Sequence, residues 1–270
     1  MYKVGYRAIY QKTIRAAILE ARRNEFEVLE IHLASPQFQP EKYSSQQLKT
    51  LAGLAKEHNV ILQIHASLET SLLYLDPDLR QATKLQLKKL IRFSRSIGAR
   101  CLTLHIGSVY GYYLSDGVKV KNDDEYRKEY CGLFEDSLKY IASSSLANLP
   151  VCIENTDNFH SDYQKILEKY LRKGKLFLTW DIRKNFSYTE IKLRKDLFDF
   201  AKRNLAFVKN LHISGIYSGH GVVGKSDKQF YKFLKLFKIR NLPIILEVLP
   251  LKKAVESKRN LKTMLKKLKC

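Results

Sequence analysis

Three observations predict a single (β/α)8 barrel, an α/β fold spanning residues 1–270. Short apolar runs alternate with helix-length amphipathic stretches from one end of the chain to the other. Eight such βα units fit the sequence, the number that a closed barrel needs. A length of 270 residues suits one barrel better than two ordinary domains, and no low-complexity linker or seam divides it.

The elements are expected in the following order. Strand one covers Tyr2–Tyr6, and a helix around Lys12–Asn24 carries Ile14, Ala17, Ile18 and Ala21 on one face. Strand two is Val28–Leu33. Ser45 is the expected N-cap of a helix running to about His58, and strand three ends at His65. The next helix spans roughly Asp78–Ile97, with Gly98 as its stop, and strand four ends at His105. A long loop, Ile106–Asp123, then leads to a helix reaching about Ala147. Strands five to eight are Pro150–Glu154, Leu176–Asp181, Val208–Ser214 and Pro243–Glu247. The final helix takes up most of Lys252–Leu268. Its loose stripe of Leu251, Val255, Leu261, Leu265 and Leu268 fits a surface helix whose lysine stems lie along the barrel.

Composition narrows the class. A hydrophobic fraction of 45% supports a substantial core and argues against disorder. No apolar run approaches the roughly 18–20 residues needed to cross a bilayer, and the N-terminus has no secretion-signal pattern. A cytoplasmic protein with no membrane partner is the expectation. Cys101, Cys131, Cys152 and Cys270 are scattered, so neither a disulfide framework nor a thiolate zinc knuckle is expected. The net charge of +21, from 48 Lys+Arg against 27 Asp+Glu, favours polyanionic or phosphorylated partners, although a lysine-rich surface alone produces the same excess.

Six potential metal ligands lie at or near the ends of six successive apolar runs: His65, His105, Glu154, Asp181, His212 and Glu247. In a parallel barrel the carboxyl ends of the strands converge on one mouth. A charge buried there is costly unless it is paired or bound to metal. Three acids and three imidazoles with no adjacent partner in sequence therefore point to a cation. Mixed His and carboxylate donors without Cys suit Zn²⁺ or Mn²⁺, with Fe or Co as further options. Six ligands leave room for two ions about 3.5–4 Å apart.

At these positions the chain resembles the superfamily of endonuclease IV and xylose-isomerase-like TIM barrels (AP endonuclease family 2). The stretches that carry the resemblance are His65-Ala-Ser, His105-Ile-Gly-Ser108, Ile153-Glu154-Asn155-Thr156, Asp181, His212-Ile-Ser and Pro243-Ile-Ile-Leu-Glu247. The resemblance implies one metal, most naturally Zn, on His65, His105 and Glu154. It implies a second on Glu154, Asp181, His212 and Glu247, with Glu154 as the bridge. His220 resembles a ligand of a third metal. Members usually carry a His where this chain has Lys184, and an Asp where it has Ser218. Two ions at most are therefore expected. Lys184 is a candidate to neutralise a phosphate oxygen in the space of the third, against the simpler reading of a solvent-exposed lysine.

The resemblance carries two activities. The leading expectation is phosphodiester hydrolysis at abasic sites in DNA by a metal-activated water held at Glu154. Basic loops would grip the backbone, and Tyr110, Tyr112 and Tyr113 would stack beside an extruded nucleotide, unless they simply pack their own loop. The His-x-Gly-Ser and Ile-Glu-Asn-Thr runs, the second ligand set and the +21 charge favour it. The absence of the glycine-rich first loop of endonuclease IV, replaced by Val4-Gly5-Tyr6-Arg7-Ala8, weighs against it. The alternative is isomerisation or epimerisation of a small sugar or sugar phosphate. There Glu154 and Glu247 would exchange a carbon-bound proton, and His65 and His105 would bind hydroxyls. A barrel that holds no metal would instead be a binding module. His32, His58, Asp157 and His160 are assigned no catalytic part.

Overall fold

In the computed structural model, residues 2–117, 119–143, 149–156, 158–187, 191–215, 220–225, 228–237 and 242–267 are described. Eight parallel strands close into a barrel: β1 (Val4–Ala8), β2 (Val28–His32), β3 (Ile61–His65), β4 (Leu102–Leu104), β7 (Val151–Glu154), β8 (Phe177–Asp181), β9 (Val208–Ile213) and β10 (Ile244–Leu246). Closure is direct, because β1 pairs with β2 on one side and with β10 on the other.

The helices between the strands are α1 (Ile14–Arg23), α2 (Ser45–Glu57), α3 (Pro77–Ser96), α4 (Asn122–Glu125), α5 (Arg127–Ser143), α6 (Ser161–Arg172), α7 (Lys184–Ser187), α8 (Ile191–Arg203), α9 (Lys228–Phe237) and α10 (Leu251–Lys267). The predicted face of α1, Ile14, Ala17, Ile18 and Ala21, is wholly buried. Each large aliphatic side chain withdrawn from water in this way contributes about 1.5–3 kcal/mol. Trp180 anchors the opposite wall, stacked on Phe200 and donating its indole N–H to Asn185 Oδ1 at 2.8 Å.

Several boundaries differ from expectation. The N-cap of α2 is Ser44, not Ser45: Ser44 Oγ accepts from Gln47 N at 3.2 Å, and Gln47 Oε1 accepts from Ser44 N at 2.8 Å. This reciprocal box needs a three-residue spacing, which only Ser44 has with Gln47. Strand one is displaced towards Ala8, which brings Arg7 into the sheet. The predicted loop Ile106–Asp123 contains an antiparallel hairpin, β5 (Gly111–Tyr113) with β6 (Lys119–Lys121), and the start of α4. Strands of three residues are too short to show a period of two in the sequence. Gly98, with φ +70°, terminates α3 as expected. Ala147, Asp157, Ser218, Leu268 and Cys270 lie outside the described residues.

Cys101 and Cys152 are buried and unbridged. The Cys101 thiol is pushed well above its usual range by the adjacent Cys152 and by burial. Among the described residues no helix is long and apolar enough to cross a membrane.

Candidate metal centre

The barrel mouth opens into a cavity of about 470 Å³. Glu154 and Asp181 are the last residues of β7 and β8, His105 follows β4, and Glu247 follows β10; all four line the cavity. His65 ends β3 and His212 lies near the end of β9. Both are fully buried and touch the lining carboxylates. All six predicted ligands thus converge on one end of the barrel. Pairing of neighbouring strands fixes this, with Asp181 opposite His212 and His32 opposite His65.

Glu154 is one node of the site. Its Oε2 lies 3.0 Å from His65 Nε2, 3.0 Å from His105 Nε2 and 3.5 Å from His212 Nδ1. Burial works to raise the Glu154 carboxyl, but His105 and His212 override it and hold the group well below the usual range. His65 Nδ1 donates to the Ala66 carbonyl at 2.8 Å. Burial, reinforced by the charge of Arg7, lowers the His65 pKa and keeps the ring neutral. With its proton on Nδ1, the ring presents a lone pair from Nε2 to a carboxylate oxygen. Two acceptors facing each other at 3.0 Å form a ready ligand pair for a cation.

The second node contains two residues that the sequence analysis did not single out. Arg7 Nε donates to Glu30 Oε1 at 2.9 Å, and an Arg7 terminal nitrogen donates to Glu247 Oε1. His212 bridges the same two acids, Nε2 to Glu30 Oε2 at 2.9 Å and Nδ1 to Glu247 Oε1 at 2.6 Å. Glu30 is fully buried within β2, between Leu29 and Ile31. A polar residue alternating with apolar ones normally marks a solvent face, whereas here it faces the barrel interior. Burial opposes ionisation of Glu30 and Glu247. His212 and Arg7 prevail in both, taking Glu30 far below the usual carboxylate range and Glu247 to about 2. Against the desolvation that opposes its charge, His212 is raised well above the normal imidazole value by Glu30, Glu247 and Glu154.

Asp181 is set apart. Its Oδ1 accepts from the Arg183 backbone N–H at 2.8 Å, whereas Oδ2 is buried with no hydrogen-bond partner. Burial, then the nearby charges of Glu247 and Glu154, raise its pKa to about 7. An orphaned carboxylate oxygen close to two further acids is where a divalent cation would relieve the repulsion. Two groups of donors, Glu30–His65–His212–Glu247 and His65–His105–Glu154, have ligand atoms within 4.8 Å of one another, and Asp181 belongs to neither. The donor set nonetheless fits a divalent ion, with imidazole nitrogens and carboxylate oxygens and no thiolate.

The rim is basic. Lys121, Arg183 and Lys184 line the cavity beside the carboxylates. Lys184 opens α7 and is half-buried, not fully exposed to solvent. Arg183 Nε is buried without a hydrogen-bond partner. His220 is exposed at the lip, with Nδ1 donating to the Glu247 carbonyl at 3.0 Å. His32 also lines the cavity, its ring centre 4.8 Å from that of His65, and burial drives its pKa down to about 2. Tyr110, and Tyr112 and Tyr113 of the hairpin, are 81%, 66% and 73% exposed, so their rings are largely open to solvent. Gly107, at φ +123°, allows that segment to pass Ser71, whose Oγ would stand 2.0 Å from an added Cβ. His160, at the start of α6, lies 3.3 Å from Asp123 of α4, and His58 caps the end of α2.

Known proteins share this architecture. A D-tagatose 3-epimerase-like protein superposes with a TM-score of 0.75 at 17% identity, covering 99% of this chain and 98% of its own. D-psicose 3-epimerase from Clostridium cellulolyticum H10 gives a TM-score of 0.68 at 15% identity, covering 99% and 100%. SacUVDE gives 0.69 at 17% identity, covering 98% and 100%. At such identities the likeness establishes the fold alone. No curated protein matches the sequence. The sequence signature of the xylose isomerase-like TIM barrel matches residues 18–267, and the chain belongs to that family.

Proposed function

We propose that the chain is a divalent-metal-dependent epimerase or isomerase of a small sugar or sugar phosphate. The observation that carries this reading is the placing of Glu154 and Glu247, which approach His212 Nδ1 at 3.5 and 2.6 Å and face one cavity of small-molecule size. Two carboxylates on one substrate pocket can remove a proton from a carbon beside a carbonyl and return one to its other face. Structural likeness to two sugar 3-epimerase folds supports this choice over the nuclease reading that the sequence motifs favoured.

Glu154 would hold the ion together with His65 and His105, while Asp181 and Glu247 face it from the cavity wall. Bound there, a divalent cation would polarise the substrate carbonyl and the neighbouring hydroxyl. The remaining work belongs to the chain. Glu154 and Glu247 move the carbon-bound proton, while Arg7 keeps Glu247 ionised and ready to accept it. His32 reaches hydroxyl positions from the cavity wall. Lys121, Arg183 and Lys184 form a cationic corner suited to a phosphate on the substrate.

A second reading, phosphodiester hydrolysis in DNA containing abasic sites, is favoured by the charge of +21 and by the exposed Tyr110, Tyr112 and Tyr113, at and beside the strand that pairs with the cavity-lining Lys121. One experiment separates the two. Protein loaded with Zn²⁺ or Mn²⁺ is incubated in D₂O with ketoses and ketose phosphates, and in parallel with a duplex bearing an abasic site. Deuterium on the substrate carbon without nicking supports the epimerase. Nicking without deuterium uptake supports the nuclease and overturns the first reading.

A further inference from the structure

We infer that Arg7 is a tethered cation that takes the place of a second divalent ion, so that the mouth accepts a single ion on the Glu154 side. This rests on the metal-dependent reading above. Of the two clusters of ligand atoms, only Glu30–His65–His212–Glu247 has a guanidinium lodged in it. Arg7 is the ladder partner of Glu30, and its own strand also pairs with β10, which Glu247 directly follows. Closure of the barrel therefore sets Arg7 between two carboxylates that are distant in sequence.

The geometry conflicts with a second ion at specific atoms. An ion completing that cluster would draw on Glu247 and His212, whose Oε1 and Nδ1 face Arg7. The same terminal nitrogen of Arg7 bonds the first and lies 3.4 Å from the second. A guanidinium is planar, permanently charged and offers no lone pair, so it cannot serve as a ligand and repels a cation brought to the atoms it holds. Arg7 is 9% exposed and is fixed at its other side by Glu30 Oε1, leaving little room to withdraw. Around Glu154, by contrast, the hydrogen-bonding partners among the described residues are imidazoles; no Lys or Arg donates to it. Position 7 thus decides how many ions the mouth holds.

The test counts ions, not turnover. Metal-stripped wild-type, Arg7→Gln and Arg7→Lys chains are titrated with ZnCl₂ and MnCl₂ by calorimetry, and the bound metal is counted by mass spectrometry. The expected result is one ion per wild-type chain, two per Arg7→Gln chain, and one again in Arg7→Lys, where the positive charge is restored. In Arg7→Gln the second ion should bind at least tenfold more tightly than any second step in the wild type. Two ions per wild-type chain overturn the inference and leave the metal reading standing, and this arm decides the matter even if Arg7→Gln does not fold. One ion in a folded Arg7→Gln chain also overturns it. No ion in any chain overturns both. A chain that binds one ion but exchanges no sugar proton removes the epimerase reading and leaves the role of Arg7 intact.

Discussion

His65 Nε2 lies 3.0 Å from Glu154 Oε2, although the proton of that imidazole is already donated from Nδ1 to the Ala66 carbonyl. A lone pair directed at a carboxylate is repulsive until a cation stands between them. Metal should therefore stabilise the fold. At a free metal concentration 100 times its dissociation constant, the gain is about 2.7 kcal/mol, which corresponds to roughly 5–10 °C in Tm. Differential scanning calorimetry with Zn²⁺ and after chelation measures it. Glu154→Gln should lose most of the metal-dependent part, and an equal shift in that variant would contradict the assignment.

The two mouth glutamates should be separable from the rest of the site by isotope exchange. Glu154→Gln and Glu247→Gln each remove an acid–base group, with an expected loss of about 10²–10⁴-fold in deuterium uptake from solvent. NMR of the recovered sugar reads this directly. Retention of wild-type exchange in either variant would remove that residue from the proton path.

Asp181 gives the metal-free protein a pH signature. Burial, with Glu247 and Glu154 nearby, raises its pKa to about 7, against about 4 in an unfolded chain. The folded state therefore retains this proton over a range where the unfolded state has lost it, and the contribution to stability falls as pH rises from about 4 to about 7. The lowered Glu30, Glu154 and Glu247 act in the opposite sense, their stabilisation being lost as pH falls below about 4.5. His212, raised by its carboxylate neighbours, loses its contribution only as pH climbs through its raised value. Asp181→Asn should thus gain in Tm over the wild type progressively between pH 4.5 and 7. A difference that stays flat with pH would show that Asp181 is not the group titrating.

The cationic corner should discriminate substrates. Arg183 presents a buried, unpartnered Nε beside Lys121 and Lys184 on the cavity wall. Arg183→Gln should raise KM for a ketose phosphate about tenfold, the order of a single charge-assisted hydrogen bond, and leave KM for the free ketose nearly unchanged. An equal effect on both substrates would place Arg183 in the support of the loop and not in phosphate binding.

The six ligand candidates were legible because each closes a short apolar run, and the end of a barrel strand is where such a residue must reach the mouth. Arg7 and Glu30 were not. Arg7 falls beyond the apolar stretch that marks strand one, and Glu30, alternating with Leu29 and Ile31, carries the pattern of an exposed strand face. Their meaning depends on strand-to-strand register, which a local pattern does not contain. The hairpin bearing Tyr112 and Tyr113 was hidden for a different reason: three paired residues per strand leave no period to read. The choice between epimerase and nuclease was not legible either, since the resemblance gives His65, His105 and Glu154 a part in both chemistries.

Anomalous scattering from crystals soaked in MnCl₂ is the most direct measurement of the central claim that the mouth gathers a cation. One strong peak is expected at the barrel mouth, about 2.0–2.2 Å from a Glu154 oxygen and within ligand distance of imidazole nitrogens. Crystals that show no peak there, with the side chains of His65, Glu154 and His212 in place, would contradict it.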